Sequence, residues 1–318
     1  MKWEKLGQIF NFYESPFAKR FVSHAQSPQA IEFNDFIRVF FSTRILDIKN
    51  KFISIPQYVD FSKDFKSIIN YSTQEIITKG ELGCFDEHGI FPFSPTFIDG
   101  KLYAYTSGWT RRVSVDVDSG IGLAQSLDGG YTFTRLGQGP VLTASIYEPF
   151  LVIDAFVRKF ENKYYMFYIC GERWIKNNNN FPERVYKITY AVSDNGVDWQ
   201  KSNKKIISNK IDENECQALP TVIKIDNCYH MYFCYRNMLD FRNNKSRGYR
   251  IGYAYSYDLI NWVRDDAKCG IDLSQEGWDS EMMCYPNLFK MGENIFLLYN
   301  GNEFGKNGFG LAKLICDK

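Results

Sequence analysis

Five carboxylates, Asp86, Glu148, Asp154, Glu215 and Glu281, stand ahead of or within short apolar runs that recur along the chain. Carboxyls gathered around one pocket can bind hydroxyls and pass protons. The same stretches, and those that follow them, carry His24, Arg44, His88, Trp109, Arg111, Arg112, Glu172, Arg236, Arg250, Asp279 and Asn300. Acids mixed with arginine and tryptophan suit a sugar, whose hydroxyls take hydrogen bonds and whose flat faces stack on aromatic rings. A guanidinium also forks onto phosphate or carboxylate. The expected ligand is therefore a small carbohydrate, plain, phosphorylated or nucleotide-linked. An alternative for the arginines is that they pair with neighbouring acids and hold loops in place. His24 and His88 are placed to titrate near neutrality, while His230 sits within an apolar run. No metal and no cofactor are expected. The aspartates of Asp128-Gly129 and Asp194-Asn195-Gly196 fit turn chemistry, and the eight scattered cysteines form no Cys-x-x-Cys.

What must position these groups is a repeat. Ile121–Phe133 returns as Ile188–Trp199 and Ile251–Trp262, with a degenerate copy at Gly308–Ala312. From Ala124 the spacings are 67, 63 and 58 residues. Each copy opens with a short strand, as at Pro28, Pro95, Asp154, Pro220 and Pro286. A tight polar turn follows, such as Asp99-Gly100 or Asp226-Asn227, and then a second strand, so the unit starts as a hairpin. Third strands such as Ile251–Ser256 and fourth strands opened by Trp199, Trp262 or Phe133 complete it. Alternation has period two, and helix is scarce. Five four-stranded antiparallel units imply an all-β, five-bladed β-propeller, expected as a single domain over residues 1–318. The last copy stops near Leu314, and Trp3-Glu4-Lys5-Leu6-Gly7-Gln8 matches the fourth-strand run Phe133–Gln138. The N-terminus should thus complete the last blade and remove its open edge.

Composition narrows the setting. The 318 residues carry a net charge of +1, which provides no overall field for nucleic acid. No run approaches the roughly 20 apolar residues of a membrane span, and Met1–Lys5 leads into polar sequence without a leader-like apolar core. A cytoplasmic location with reduced thiols is expected.

The blade pattern resembles the five-bladed carbohydrate-active enzymes, the furanosidase, fructosidase and β-mannoside phosphorylase group. The strings Phe85–Pro92, Ser107–Arg112 and Gly277–Met282 are also similar to a bacterial group found with surface-polysaccharide genes. The resemblance implies an acid at the start of inner strands, matched here by Asp86, Glu148, Asp154, Glu215 and Glu281. It further implies glycoside hydrolysis or phosphorolysis by paired carboxylates, roughly 6.5–9.5 Å apart for inversion and about 5 Å for retention. Glu148 or Glu215 is the expected acid, because the third and fourth blades face the first across the ring. Asp86 and Glu281 are then base or hydroxyl ligand. Replacing Glu215 or Glu281 by Gln should leave the fold intact and weaken sugar handling. The alternatives are a non-catalytic glycan-binding or scaffolding propeller, and a sugar isomerase or lyase on the same fold.

Overall fold

The computed structural model describes residues 1–315. Strand β1 (Trp3–Asn11) comes first, and four complete blades follow. They are β2 (Ser23–Glu32), β3 (Ile37–Leu46), β4 (Phe52–Phe61) and β5 (Ile68–Tyr71), then β6 (Ile90–Ile98), β7 (Lys101–Arg111), β8 (Val117–Ser126) and β9 (Thr134–Arg135). The third is β10 (Phe150–Phe160), β11 (Lys163–Lys176), β12 (Pro182–Ser193) and β13 (Gln200–Lys201). The fourth is β14 (Cys216–Ile225), β15 (Cys228–Arg236), β16 (Arg250–Ser256) and β17 (Val263–Arg264). The last blade is β18 (Cys284–Met291), β19 (Asn294–Asn300) and β20 (Gly308–Leu314), with β1 as its outer strand. All pairings within the blades are antiparallel, and the only α-helical segment among the described residues is the turn Asn302–Gly305.

The ring closes as the repeat implies. β1 pairs with β20 from Trp3–Leu314 to Asn11–Gly308, and the Trp3 indole N–H donates to the Tyr232 hydroxyl at 2.9 Å. The hairpin turns match as well. Asp99 and Gly100 both have positive φ (46° and 76°), the geometry of a two-residue turn whose twist fits the flanking strands.

The inner strands are buried whatever their polarity: β2 and β14 are covered along most of their length because a blade packs on both faces, and the polar residues of β2 are buried with the rest. Aromatic contacts between blades fill the core, such as Phe40 on Phe93 at 5.3 Å and Phe167 on Trp262 at 5.6 Å. Facing the channel, inner strands have no ladder partner on one side, so side chains of neighbouring blades satisfy their backbone. Asn287 Oδ1 accepts from Ala30 N–H (3.0 Å), Ser107 Oγ from Asp154 N–H (3.1 Å), Asp154 Oδ2 from Leu219 N–H (3.2 Å) and Thr221 Oγ1 from Leu288 N–H (2.9 Å). Register breaks accompany this ring, at least one in every inner strand. At them His24, Asp154, Leu219 and Tyr285 take positive φ, a conformation that costs an L-residue roughly 1–2 kcal/mol each. The bulges bring His24, Asp154 and Tyr285 to the channel mouth.

Seven cysteines among the described residues are free, five of them buried; Cys316 lies outside the described residues. No described helix is long and apolar enough to cross a membrane.

Candidate functional site

A cavity of about 1400 Å3 opens at the channel mouth, where the starts of inner strands and the ends of second strands from all five blades meet. Of the candidates named from sequence, it brings together His24, Arg44, Trp109, Arg111, Arg112, Asp154, Arg236 and Glu281. Asp86, Glu148, Glu215, His88, Glu172, Arg250, Asp279 and Asn300 lie outside its lining.

The excluded acids share one fate. Asp86 is fully buried and pairs with Arg135 on β9. Glu148 meets Lys201 on β13 at 2.6 Å and accepts from the Tyr168 hydroxyl at 2.9 Å. Glu215 meets Arg264 on β17 at 2.6 Å and takes the backbone N–H groups of Lys210 and Ile211. Asp279 meets Lys5 on β1 at 2.8 Å and accepts from the Tyr299 hydroxyl at 3.0 Å. In four blades, then, the acid ahead of the inner strand latches onto a cation on the outermost strand of the same blade. The outer strand lies three spacings from the inner one, about 14 Å, a span that the few residues leading into an inner strand can cover at about 3.3 Å each. Around Asp86 the space is tight: a Cβ on Gly80 or Gly108 would collide with its side chain. Burial pushes the Asp86 carboxyl up, against the pull of Arg135.

The other candidates outside the lining have partners of their own. Asn300 donates to the Ala25 and Gly308 carbonyls and accepts from Ser27 N–H. Arg250 donates to the carbonyls of Lys245, Tyr249 and Glu281. Glu172 pairs with Lys205 and Arg173. His88 stacks on Trp109. His24 does not titrate near neutrality, because burial and the Arg44 charge push it down to about 3; burial and the Arg111 charge lower His88 as well. His230, on β15, bonds the Tyr253 hydroxyl at 2.7 Å.

Within the cavity Asp154 stands apart. It is 5% exposed, Oδ2 accepts the Leu219 N–H, and no cation lies within 4.0 Å among the described residues. Burial pushes its carboxyl up to about 7, with the Leu219 N–H and the Arg184 charge acting against the rise. The other cavity acids differ. Glu281 pairs with Lys245, Glu303 pairs with Lys306, and Asp116 sits on an exposed hairpin tip. Asp154 is the one buried carboxyl of the lining among the described residues.

Cations outnumber acids around it, nine Arg and Lys to four Asp and Glu. Arg111 is held by Asp47 at 2.7 Å and Arg112 by Asp118. Arg44, Lys51, Arg184 and Arg236 have no carboxylate within 4.0 Å among the described residues. Arg44 adjoins His24, and Lys306 is near enough for its charge to act on the same imidazole. Arg236 donates to the Asn237 and Met238 carbonyls and to the Tyr186 hydroxyl (2.9 Å), and lies 3.5 Å over the Phe241 ring. It packs against a wall formed by Phe241, Tyr249 and, from the last blade, Phe304. No described group of His, Cys, Asp and Glu is arranged to hold a metal ion.

Arg184, Tyr186, Tyr249 and Tyr285 are cavity residues that sequence reasoning did not single out. The three tyrosines sit in aromatic strand runs that look like any other core segment. The latch cations did leave a signal: Trp3-Glu4-Lys5, Phe133-Thr134-Arg135, Trp199-Gln200-Lys201 and Trp262-Val263-Arg264 all place a basic residue two after the aromatic.

No protein-family model matches the chain. The proteins Rv1502 and MT1551 from two strains of Mycobacterium tuberculosis, both described as uncharacterized, are each 31% identical to it over 314 residues, 99% of either sequence. A β-1,2-mannobiose phosphorylase of Thermoanaerobacter sp. is 32% identical over 143 residues, 42% of this chain and 45% of its own. Among solved structures, a glycoside hydrolase superposes with a TM-score of 0.72 at 13% identity, covering 99% of this chain and 93% of the other. A thermostable family-43 glycoside hydrolase gives 0.66 at 13% identity over 93% and 91%. These structures share the fold described above.

Proposed function

The chain belongs to the family of the mycobacterial proteins Rv1502 and MT1551, and we propose that it is a carbohydrate-active enzyme that cleaves a small glycoside with inorganic phosphate, inverting the anomeric carbon. The observation that carries this reading is Asp154, a lone buried carboxyl held near pKa 7 in a cavity rich in unpaired cations. Hydrolysis by either stereochemical route needs a second carboxylate, as base for water or as nucleophile. The remaining cavity acids are ion-paired or exposed. Phosphate is itself an anionic nucleophile and needs no base, only cations to hold it. The partial identity to a β-1,2-mannobiose phosphorylase points the same way.

In this reaction the Asp154 carboxyl gives its proton to the glycosidic oxygen while the bond from that oxygen to the anomeric carbon breaks toward the oxygen. A phosphate oxygen forms the new bond from the opposite face. The products are a sugar 1-phosphate and the released alcohol, and the Asp154 carboxylate regains a proton from solvent. Arg44, neighbouring His24 on the first blade, is the cation we assign to the phosphate. Neutral His24 can donate or accept a hydrogen bond without competing for charge. We place the reaction in surface-glycan metabolism, on the resemblance carried by the Phe85–Pro92, Ser107–Arg112 and Gly277–Met282 strings. The free cysteines support a reducing, cytoplasmic setting.

A second reading, a propeller that binds glycan without chemistry, is favoured by the latching of Asp86, Glu148, Glu215 and Asp279. One assay separates them. Purified protein incubated with β-1,2-mannobiose and related disaccharides should release sugar 1-phosphate only when phosphate is present, and Asp154→Asn should lose at least about a hundredfold in kcat. Phosphate-independent sugar release would identify a hydrolase. Saturable binding without turnover would identify a binding protein.

A further inference from the structure

The cavity holds more positive charge than one phosphate accounts for, and its arrangement says where the surplus belongs. In an inverting displacement the attacking and leaving oxygens occupy opposite faces of the anomeric carbon. Asp154 marks the leaving side, because it protonates that oxygen. It lies on β10 of the third blade, and Arg184 lies on β12 of the same blade. Arg44 and His24 lie on the first blade and Lys306 on the last. The first and third blades are not neighbours in the ring. The phosphate cations and Arg184 therefore serve different ends of the substrate.

Arg184 is partly buried, lines the cavity and has neither a carboxylate within 4.0 Å nor a side-chain hydrogen bond among the described residues. It stands near enough to Asp154 for its charge to be felt there, yet it does not bond to it. A bonded arginine would hold the carboxyl ionised and remove the proton that the reaction uses. Kept apart, its five donors stay available to a ligand. Beyond it Arg236, 3% exposed, has a buried Nε without a partner. Guanidinium groups without a carboxylate partner on a concave wall raise the local concentration of anions.

We propose that the leaving group of the substrate is itself anionic, a sugar acid or a phosphorylated sugar whose charge is met by Arg184 beside Asp154. This rests on the phosphorylase reading for its direction, and it narrows the substrate from a neutral disaccharide to a glycoside of an acidic alcohol. A neutral sugar would leave Arg184 unanswered.

The reverse reaction tests it with simple probes. Wild-type protein is given α-mannose 1-phosphate as donor and mannose, mannuronate or mannose 6-phosphate as acceptor, and phosphate release is measured. The acidic acceptors should show a KM at least about tenfold lower than mannose. Arg184→Gln should collapse that preference to near one, and Arg184→Lys should restore part of it, with Tm measured for both variants. Calorimetric binding of the same three probes in the absence of phosphate and donor gives a second arm. Equal use and equal binding of neutral and acidic probes overturn the proposal. So does a preference for acidic probes that Arg44→Ala removes and Arg184→Gln does not, because the anion then sits in the phosphate site. If no phosphate is released from the donor and inorganic phosphate does not bind, the phosphorylase reading fails by itself. An Arg184-dependent preference in the binding arm still supports the acidic ligand in that case, and its absence still rejects it.

Discussion

Asp154 ties catalysis to stability through one proton. Its ordinary value of 3.8 rises to about 7 because burial disfavours the charge. The native state therefore prefers the neutral carboxyl, and the unfolded chain ionises near its ordinary value of 3.8. That preference contributes stability that is fully present below pH 3.8 and is lost as pH rises through about 7. Asp154→Asn removes the cost of the charge, so it should match the parent in urea denaturation at about pH 4 and exceed it at about pH 8. The gain there is at most about 4 kcal/mol. His24 titrates with the opposite sign, its neutral burial being lost as pH falls from 6.5 toward about 3. Both proteins carry it, so the comparison between them isolates Asp154. If Asp154→Asn protein is no more stable than the parent on the alkaline side, the carboxyl is not raised. Where the acid is needed protonated, kcat should fall with rising pH on a limb near 7.

At the level of the blade, the latch between the leading loop and the outer strand is the recurring device. A two-residue strand such as β17 has few ladder bonds of its own, and a buried acid pinned to its basic residue fixes it to the inner strand's approach. Glu215→Gln leaves Arg264, 5% exposed, without its main counterion, although Asp266 remains at 3.1 Å. The expected loss is about 3 kcal/mol. Arg264→Met in the same chain should recover at least half of it, and a strictly additive double mutant would reject the latch. Glu281→Gln is the contrast, because its partner Lys245 is 71% exposed and the pair is worth about 0–1 kcal/mol. Only the second substitution is therefore expected to leave the fold untouched.

Over the whole ring, closure depends on the first strand. β1 supplies the outer edge of the last blade, the Lys5 partner of Asp279 and the Trp3 bond to Tyr232. Phe10 also stacks on Phe309 at 5.0 Å and packs on Phe41 of the first blade. Deleting residues 1–10 opens the edge of β20 and exposes that aromatic cluster. The shortened chain should lose cooperative unfolding and elute as aggregates in size-exclusion chromatography. A monomer with an unchanged Tm would mean that the ring does not need its N-terminal seam.

The repeat made most of this architecture legible. Turn residues and two-residue alternation are local signals, so blade number, hairpins and even the displaced fourth strand could be read from Pro28, Asp99-Gly100 or Trp3–Gln8. The site was legible by region and not by residue. Asp86, Glu148, Glu215, Asp279 and Glu281 precede an inner strand and Asp154 lies within one, and nothing local marks which of them reaches the channel. That choice depends on where a β-bulge falls in the inner hairpin and on which cation waits on the outer strand, which is 49 residues away for Asp86 and Glu215 and at the N-terminus for Asp279. A five-fold ring closed by its own first strand follows from the order of residues alone, because repetition is written along the chain. Which four acids become latches, and which one is left buried and unpaired at the channel mouth, emerges only on folding, because burial and counterions are properties of neighbours in space.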